Sequence, residues 1–473
     1  MRLPRLTVII SCLAFSFLVL LPVPGQALTH QEERELGQEI FNLLQEKLTL
    51  TDDPDLKAYI NGLGQKILKG IGPQPFDYRF FVVHSENINA FAVPAGYVFI
   101  HSGLITSYES EGQLAATLAH EIAHVTARHV AKWISQSKKL TLATMGGILA
   151  GIFIGGPVGQ AVALGSMAGS IQTQLKYSRE DETEADQKGL EYLVKAGYNP
   201  KYLAESFHIL LRAQYSGPND IPSYLQTHPG LLDRISSVEI MVAAHPSYKS
   251  TKGGGDDQAF TAFKSKIMAR YANELQAYNY FQNLLKDDRT TALGHYGLAL
   301  LYEKQQKTDL AAGQFRLAVG KEVDNTEILS DFGGLLFRMG DYPEALKYLH
   351  PAFILKPRSV RTLFYLSRIF QEQGHLEQSR EFFERLLLED PENELGRYNL
   401  GLVYGRLGDL ARAHFNTGLY FKMTGKHSQA LYHLEKARGH AVEKSSGLVE
   451  RIDEILTELK KKPGNRPGKR NDP

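Results

Sequence analysis

A spacing of 34 residues recurs through the second half of this 473-residue chain and leaves that half few ways to fold. Leu298, Tyr302, Ala311, Phe315 and Ala318 are followed at the same offsets by Phe332, Leu336, Ala345, Leu349 and Ala352, then by Leu366, Phe370, Ser379, Phe383 and Leu386. Turn signals at Gly340-Asp341, Gly374-His375 and Gly408-Asp409 keep step with them, and Pro357 and Pro391 stand at repeat ends. A unit of this kind is a pair of helices whose apolar face is covered only by the next pair, so the copies must stack into a solenoid. A helical bundle without repeats would not hold its apolar positions and its turns in one register.

A worn copy is visible at Ala277, Phe281 and Leu284, and another begins with Leu400 to Tyr404. Gly418, Phe421, Gly425, Ala430, Leu434 and Ala437 fit only after a shift of half a repeat, so one helix is expected to serve two units. The period and its turns are those of tetratricopeptide repeats, expected over 258–440. Three successive glycines, Gly253 to Gly255, mark a linker over 247–257. After the repeats, 441–473 is expected to hold a C-terminal helix and a basic disordered tail around Lys460, Lys461 and Lys462. Such an array offers a concave platform for a partner or substrate and no chemistry of its own.

The chemistry is concentrated in His120-Glu121-Ile122-Ala123-His124. Its flanks carry Leu114, Leu118, Ile122 and Val125 at helical spacing, and residues four apart on a helix share a face. His120 and His124 can therefore hold one zinc ion while Glu121 stands beside the open position, ready to take a proton from attacking water. One branch of this motif places a glycine and a third histidine soon after the second. Here those positions are Ala127 and Val130, so the helix is expected to run on and the third ligand to come from elsewhere. On a continuous helix His129 points away from the ligand face and reads as a surface or supporting residue.

Tyr177 to Gly189 begins a second amphipathic helix on which Glu182 and Asp186 share a face. A carboxylate would complete a zinc site of two histidines and one glutamate, and a second would accept the free ring N–H of a ligand histidine. The same acidic cluster also reads as a solvated helix N-terminus. Asn89 to Ile100 alternates Phe91, Val93, Tyr97 and Phe99 around Pro94-Ala95-Gly96, the pattern of two short strands joined by a turn. Gln226-Thr-His228-Pro-Gly-Leu-Leu-Asp-Arg234 lies in a loop before another helix. His228 would approach the zinc, polarise a substrate oxyanion or simply belong to a capping loop, and Arg234 would buttress either carboxylate.

The pentapeptide, the downstream Ser178-Arg-x-x-Glu182-x-x-Ala185-Asp186 and the Asn89 to Ile100 stretch together resemble the gluzincin peptidases that include HtpX and the CAAX prenyl proteases. The resemblance implies one zinc ion per chain held by His120, His124 and Glu182, with Glu121 as general base and Asp186 as partner of a ligand imidazole. Glu180, Asp181 and Glu184 are then bystanders. It also implies an edge strand near the catalytic helix on which an extended, unfolded substrate adds. A sharper expectation is that His228 fills the open zinc position in a resting, latent state.

The first residues, Met1-Arg-Leu-Pro-Arg5 followed by apolar Leu6 to Leu21 and ending at Ala27, read as a signal peptide cleaved after Ala27. The one cysteine, Cys12, lies inside it, so the exported chain would have no thiol for a disulfide or a nucleophile. That suits an oxidising periplasm. A formal charge of +1 gives no reason to invoke nucleic acid. Between Leu140 and Leu175 no residue is charged, and glycine is frequent. This stretch reads as a buried or lid segment, with peripheral membrane contact as the alternative.

The expected fold is α+β and mainly helical: a zincin-like metallopeptidase domain with a small β-sheet over 28–246, then an α-solenoid. The order of signal, peptidase and repeats resembles periplasmic proteases of envelope quality control. That implies misfolded or stalled outer-membrane proteins as substrates, with the repeats contacting the barrel-assembly machinery or its clients. Two rivals remain: a chaperone or assembly scaffold with a largely latent protease site, and an integral-membrane prenyl-type protease, which would need 140–175 to insert.

Overall fold

The structure, a computed structural model, describes residues 28–136, 151, 177–216, 223–249, 254–255, 257–441 and 446–461. The expected signal peptide, nearly all of 140–175 and the basic tail beyond 461 lie outside the described residues. The chain divides into two compact units, Met1–Asn273 and Glu274–Pro473.

The first unit opens with helices α1 (His30–Lys47) and α2 (Pro54–Ile71). Thr29 caps α1 reciprocally with Glu32, and Asp53 caps α2 just ahead of Pro54, a residue whose fixed φ suits a first helical turn. A three-stranded sheet follows, with β1 (Arg79–Val83) parallel to β3 (Tyr97–His101) and β2 (Ala90–Val93) antiparallel to it, in the order β1-β3-β2. Stacked rings fix the register, Phe91 on Phe99 at 4.9 Å and Phe81 on Phe99 at 5.1 Å. The expected hairpin is therefore β2 and β3, turning through Pro94–Gly96 with Ala95 and Gly96 at φ 67° and 87°. As expected, β2 is the strand at the sheet edge beside the histidine-bearing helix. That edge is closed, however, since Ala90, Phe91, Ala92 and Val93 are all at most 1% exposed.

Helices α3 (Ser102–Ser107), α4 (Glu111–Thr126), α5 (His129–Gln136), α6 (Arg179–Lys195), α7 (Lys201–Ser216), α8 (Ser223–Thr227), α9 (Leu231–Ala244) and α10 (Asp257–Tyr271) complete this unit. Every residue of α4 from Glu111 to Val125 is buried, the mark of a helix that runs through the core. Two glycines let other elements reach it: a Cβ on Gly112 would lie 2.2 Å from the Tyr202 ring, and one on Gly189 would lie 3.1 Å from the His120 Cα. The repeats were expected to start at 258, but α10 packs on the first unit. Phe263 stacks on Tyr59 at 4.3 Å, Lys266 donates to Asp55 at 2.6 Å and the Tyr271 hydroxyl donates to Thr51 at 2.9 Å. Its buried Phe260, Phe263 and Ile267 form an apolar face that either domain would accept, so sequence alone does not assign it.

The second unit begins with α11 (Glu274–Leu284) and continues as antiparallel pairs: α12 (Thr291–Lys304) with α13 (Thr308–Lys321), α14 (Thr326–Arg338) with α15 (Tyr342–Leu355), α16 (Val360–Glu372) with α17 (Leu376–Glu389) and α18 (Glu394–Arg406) with α19 (Leu410–Met423). Helices α20 (His427–His440) and α21 (Ser446–Lys461) close it, and Ile452 and Leu456 pack on Leu434 and Ala437. Gly340, Gly374 and Gly408 end the first helix of three pairs in the left-handed region that glycine enters without strain. Gly425 does the same at the far end of α19. A Cβ on Gly401 would press on Thr417 of α19, and one on Gly418 of α19 would press on Leu434 of α20. These two contacts share one spacing, so α19 is the second helix of one pair and the first of the next. The half-repeat shift has that cause.

Candidate metal centre

Four elements deliver the polar side chains of the site. Helix α4 carries His120, Glu121 and His124, and Gly189 allows α6 to cross it at His120, which brings Glu182 and Asp186 to the imidazoles. The residue after α8 is His228, and α9 supplies Arg234. Ligand atoms of His120, His124, Glu182 and His228 all lie within 4.8 Å of one another. The two Nε2 atoms of His120 and His124 face each other at 3.0 Å, and Glu182 Oε2 and Oε1 stand 3.6 and 3.5 Å from them respectively. His228 Nδ1 lies 2.9 Å from Glu182 Oε1, while its Nε2 sits 3.6 Å from Glu121 Oε1.

The pocket is sealed and rich in negative charge. His120, Glu121, Glu182 and His228 are 0% exposed and His124 is 1% exposed. Three buried carboxylates, of Glu121, Glu182 and Asp186, face a single guanidinium, that of Arg234. Among the described residues both Glu121 oxygens and His228 Nε2 have no hydrogen-bond partner. Uncompensated buried charge and orphaned polar atoms are costly, and a divalent cation would offset both. Two imidazole nitrogens and a carboxylate oxygen form a donor set that suits zinc, so the residues fit the ion.

Supporting contacts orient each imidazole. His120 Nδ1 is 3.0 Å from Asp186 Oδ1, and Arg234 clamps Asp186 with two bonds of 2.8 and 2.7 Å while its Nη1 lies against Glu182. Burial disfavours charge on His120, but the carboxylates of Asp186 and Glu182 outweigh it and hold the ring up to about 9. Burial dominates at His124, whose ring stays well below the ordinary imidazole value. Burial also pushes Glu121 up. At Glu182 burial is overcome by His228 and Arg234, which hold the carboxylate well below its usual range.

The second orienting chain overturns one expectation. Helix α4 does not run on: it ends at Thr126, and Arg128 takes φ 57°, tied by its Nε to Glu33 at 2.8 Å. The reversal turns His129 back, so it is buried with Nδ1 2.9 Å from His124 Nδ1 and Nε2 3.2 Å from Glu184 Oε2. If His124 binds an ion through Nε2, its Nδ1–H donates to His129 Nδ1, leaving His129 Nε2–H for Glu184. Glu184, read as a bystander, therefore ends a relay. Asp181 has a structural task, closing a capping box with Ser178 at the start of α6.

Two aromatic residues were not anticipated at all. Tyr177 stacks on His124 at 3.9 Å and tilts over His228 at 5.1 Å, and Tyr224 stacks on His228 at 4.2 Å. Nothing in the sequence marks Tyr224. Tyr177 stands next to the cap of α6, so its place at the helix entrance was readable in principle. Among the described residues no helix is long and apolar enough to cross a membrane.

Residues 52–242 match the family model described as Peptidase family M48, and residues 336–398 match one described as Tetratricopeptide repeat. The beta-barrel assembly-enhancing protease of Escherichia coli (strain K12) is 32% identical over 209 residues, 43% of this chain and 42% of that protein. A Vibrio cholerae protein given the same name provisionally is 33% identical over 310 residues, 64% of this chain and 63% of that one. The mitochondrial metalloendopeptidase OMA1 of Arabidopsis thaliana is 30% identical over 180 residues, 37% of this chain and 35% of that one. The chain thus spans less than two thirds of the length of each of these relatives.

Proposed function

From a chain that joins an M48 peptidase domain to tetratricopeptide repeats and is homologous to beta-barrel assembly-enhancing proteases, we propose an exported zinc endopeptidase of envelope quality control. The observation that carries this reading is the convergence of His120, His124 and Glu182 in a sealed, carboxylate-rich pocket with Glu121 alongside. Zinc bound there supplies an acidified water and a Lewis acid for a peptide carbonyl. Glu121, its basicity raised by burial, takes the proton of the attacking water and returns it to the leaving amine. Asp186 and the His129–Glu184 pair hold the two ligand rings at their Nδ1 atoms. Unfolded polypeptide is the substrate, and the repeats recruit clients or the barrel-assembly machinery. The site of action is the periplasm, after cleavage at Ala27.

His228 holds the enzyme latent. Its Nε2 points beside Glu121, where the attacking water must stand, and as a fourth ligand it would displace that water. Resting protein is therefore inactive until the segment between α8 and α9 that carries His228 moves away from Glu121. A scaffold with a rarely used site is the second reading, and the closure of every ligand to solvent favours it.

Metal analysis of the purified protein, paired with casein hydrolysis, tests both. Glu121→Gln should retain one zinc per chain and lose about 10³-fold or more in rate, whereas His228→Ala should raise basal hydrolysis. Absence of zinc, or activity surviving in Glu121→Gln, would falsify the peptidase reading. Unaltered basal proteolysis in His228→Ala removes the latch alone. Full rescue of a deletion strain by Glu121→Gln would favour the scaffold.

A further inference from the structure

The second unit holds a cavity of about 580 Å³ between α17, α18, α19 and the last helix, α21, remote in sequence from the metal ligands. Its walls are of two kinds. Leu387, Leu400 and Phe415 are apolar, while Arg397, Arg412 and Arg451 present three guanidinium groups against one acid, Glu384, which already accepts from the Tyr404 hydroxyl.

Two of the three arginines, Arg397 and Arg451, are not consumed by the fold. Among the described residues Arg397 donates only to neutral acceptors, Asn416 Oδ1 at 3.3 Å and the Pro391 carbonyl at 3.2 Å, and its Nε is buried without a partner. Burial and the neighbouring Arg451 both hold its pKa below the usual guanidinium value, as expected of like charges left without a counter-ion. Arg451 lies 5.6 Å over the Phe415 ring, and Arg412 lies 5.6 Å over Tyr404. Among the described residues only Arg412 of the three has a carboxylate partner, Asp409 at 2.9 Å. A guanidinium that lacks an acid and borders an apolar wall is matched by a carboxylate attached to an apolar group.

We propose that this groove binds the carboxyl terminus of an extended polypeptide whose last side chain is apolar. At a chain end the carboxylate and the apolar side chain share one Cα, so both walls are satisfied by a single residue and a cavity of this size holds only a few more. The chain's own basic tail, with Lys460 to Lys462, Arg466, Lys469 and Arg470, brings the wrong sign of charge. This deepens the reading of the repeats as a partner platform and rests on that part of it alone.

The test uses the full chain carrying Glu121→Gln, so that nothing bound is cut, and a dye-labelled hexapeptide ending in phenylalanine, read by fluorescence anisotropy. The free acid should bind at least about tenfold more tightly than its C-terminal amide. Arg451→Gln, which removes at an exposed position the guanidinium that lies over Phe415, should erase that difference, as should Arg397→Gln. Equal binding of acid and amide overturns the proposal, as does no binding of either, or binding of the acid unchanged in both variants. Equally tight binding of an amidated peptide with an internal glutamate would also overturn it, pointing to acidic segments instead. None of these outcomes bears on casein hydrolysis, so the groove and the peptidase stand or fall separately.

Discussion

The two units bury polar groups in opposite styles. In the first, the charges of the site converge: each of the imidazoles of His120 and His124 has its own orienting chain, and Arg234 alone serves two carboxylates. In the second, order comes from repetition, the same turn glycine and the same close helix contact recurring at Gly340, Gly374 and Gly408 and at Gly333 and Gly401. Its main buried ionic group, Asp331 with Arg361 at 2.9 Å and the Tyr296 hydroxyl, is one exception inside an otherwise small-against-large packing scheme. A convergent network fails as a whole when one member goes, whereas a repeated contact fails locally.

Arg234→Met breaks this comparison most directly. It leaves the buried Asp186 and Glu182 without their one guanidinium, and the first unit should lose about 3–5 kcal/mol, read by calorimetry as one early transition while the second unit melts unchanged. Next in size is a pH effect at His101, buried at the end of β3 with neither ring nitrogen bonded among the described residues. Burial holds its ring at about 4 against the ordinary 6.5. Between those values the unfolded chain binds the extra proton, so stability fully present above 6.5 is lost as pH falls through 4. The loss should be about 3 kcal/mol, and denaturant titration of His101→Leu across that window should show it removed.

His129→Gln sharpens the contrast at the level of one ligand. Without the relay to Glu184, zinc affinity should fall about 10–100-fold, measured by competition with a chromophoric chelator, with the fold intact. The smallest effect belongs to the repeats. Gly374→Ala forces alanine to φ 79°, at a cost of about 1 kcal/mol. Hydrogen exchange should quicken in α16 and α17 and nowhere in the first unit. Spread of protection loss across the whole second unit would mean that it too folds as one network.

The sequence was legible where a pattern repeats or a spacing carries a mechanism. The 34-residue register placed the paired helices, the shared helix α19 included, and helical spacing put His120 beside His124 and Glu182 beside Asp186. What escaped was set by single backbone events. Arg128 in the left-handed region is not a residue type that announces a helix end, so His129 was aimed the wrong way and Glu184 was dismissed. The assignment of α10 failed because an amphipathic helix declares that it will be buried without saying against what. Closure of the β2 edge likewise depends on what packs beside it, which no local pattern encodes.

The sealing of His120, Glu121, His124, Glu182 and His228 from solvent has a kinetic consequence. On the proposed peptidase reading, an enzyme whose reacting groups are all covered turns over no faster than it uncovers them. Substrates of unlike sequence would then share one maximal rate, differing only in the concentration needed to reach it, and progress curves from resting protein would begin with a lag.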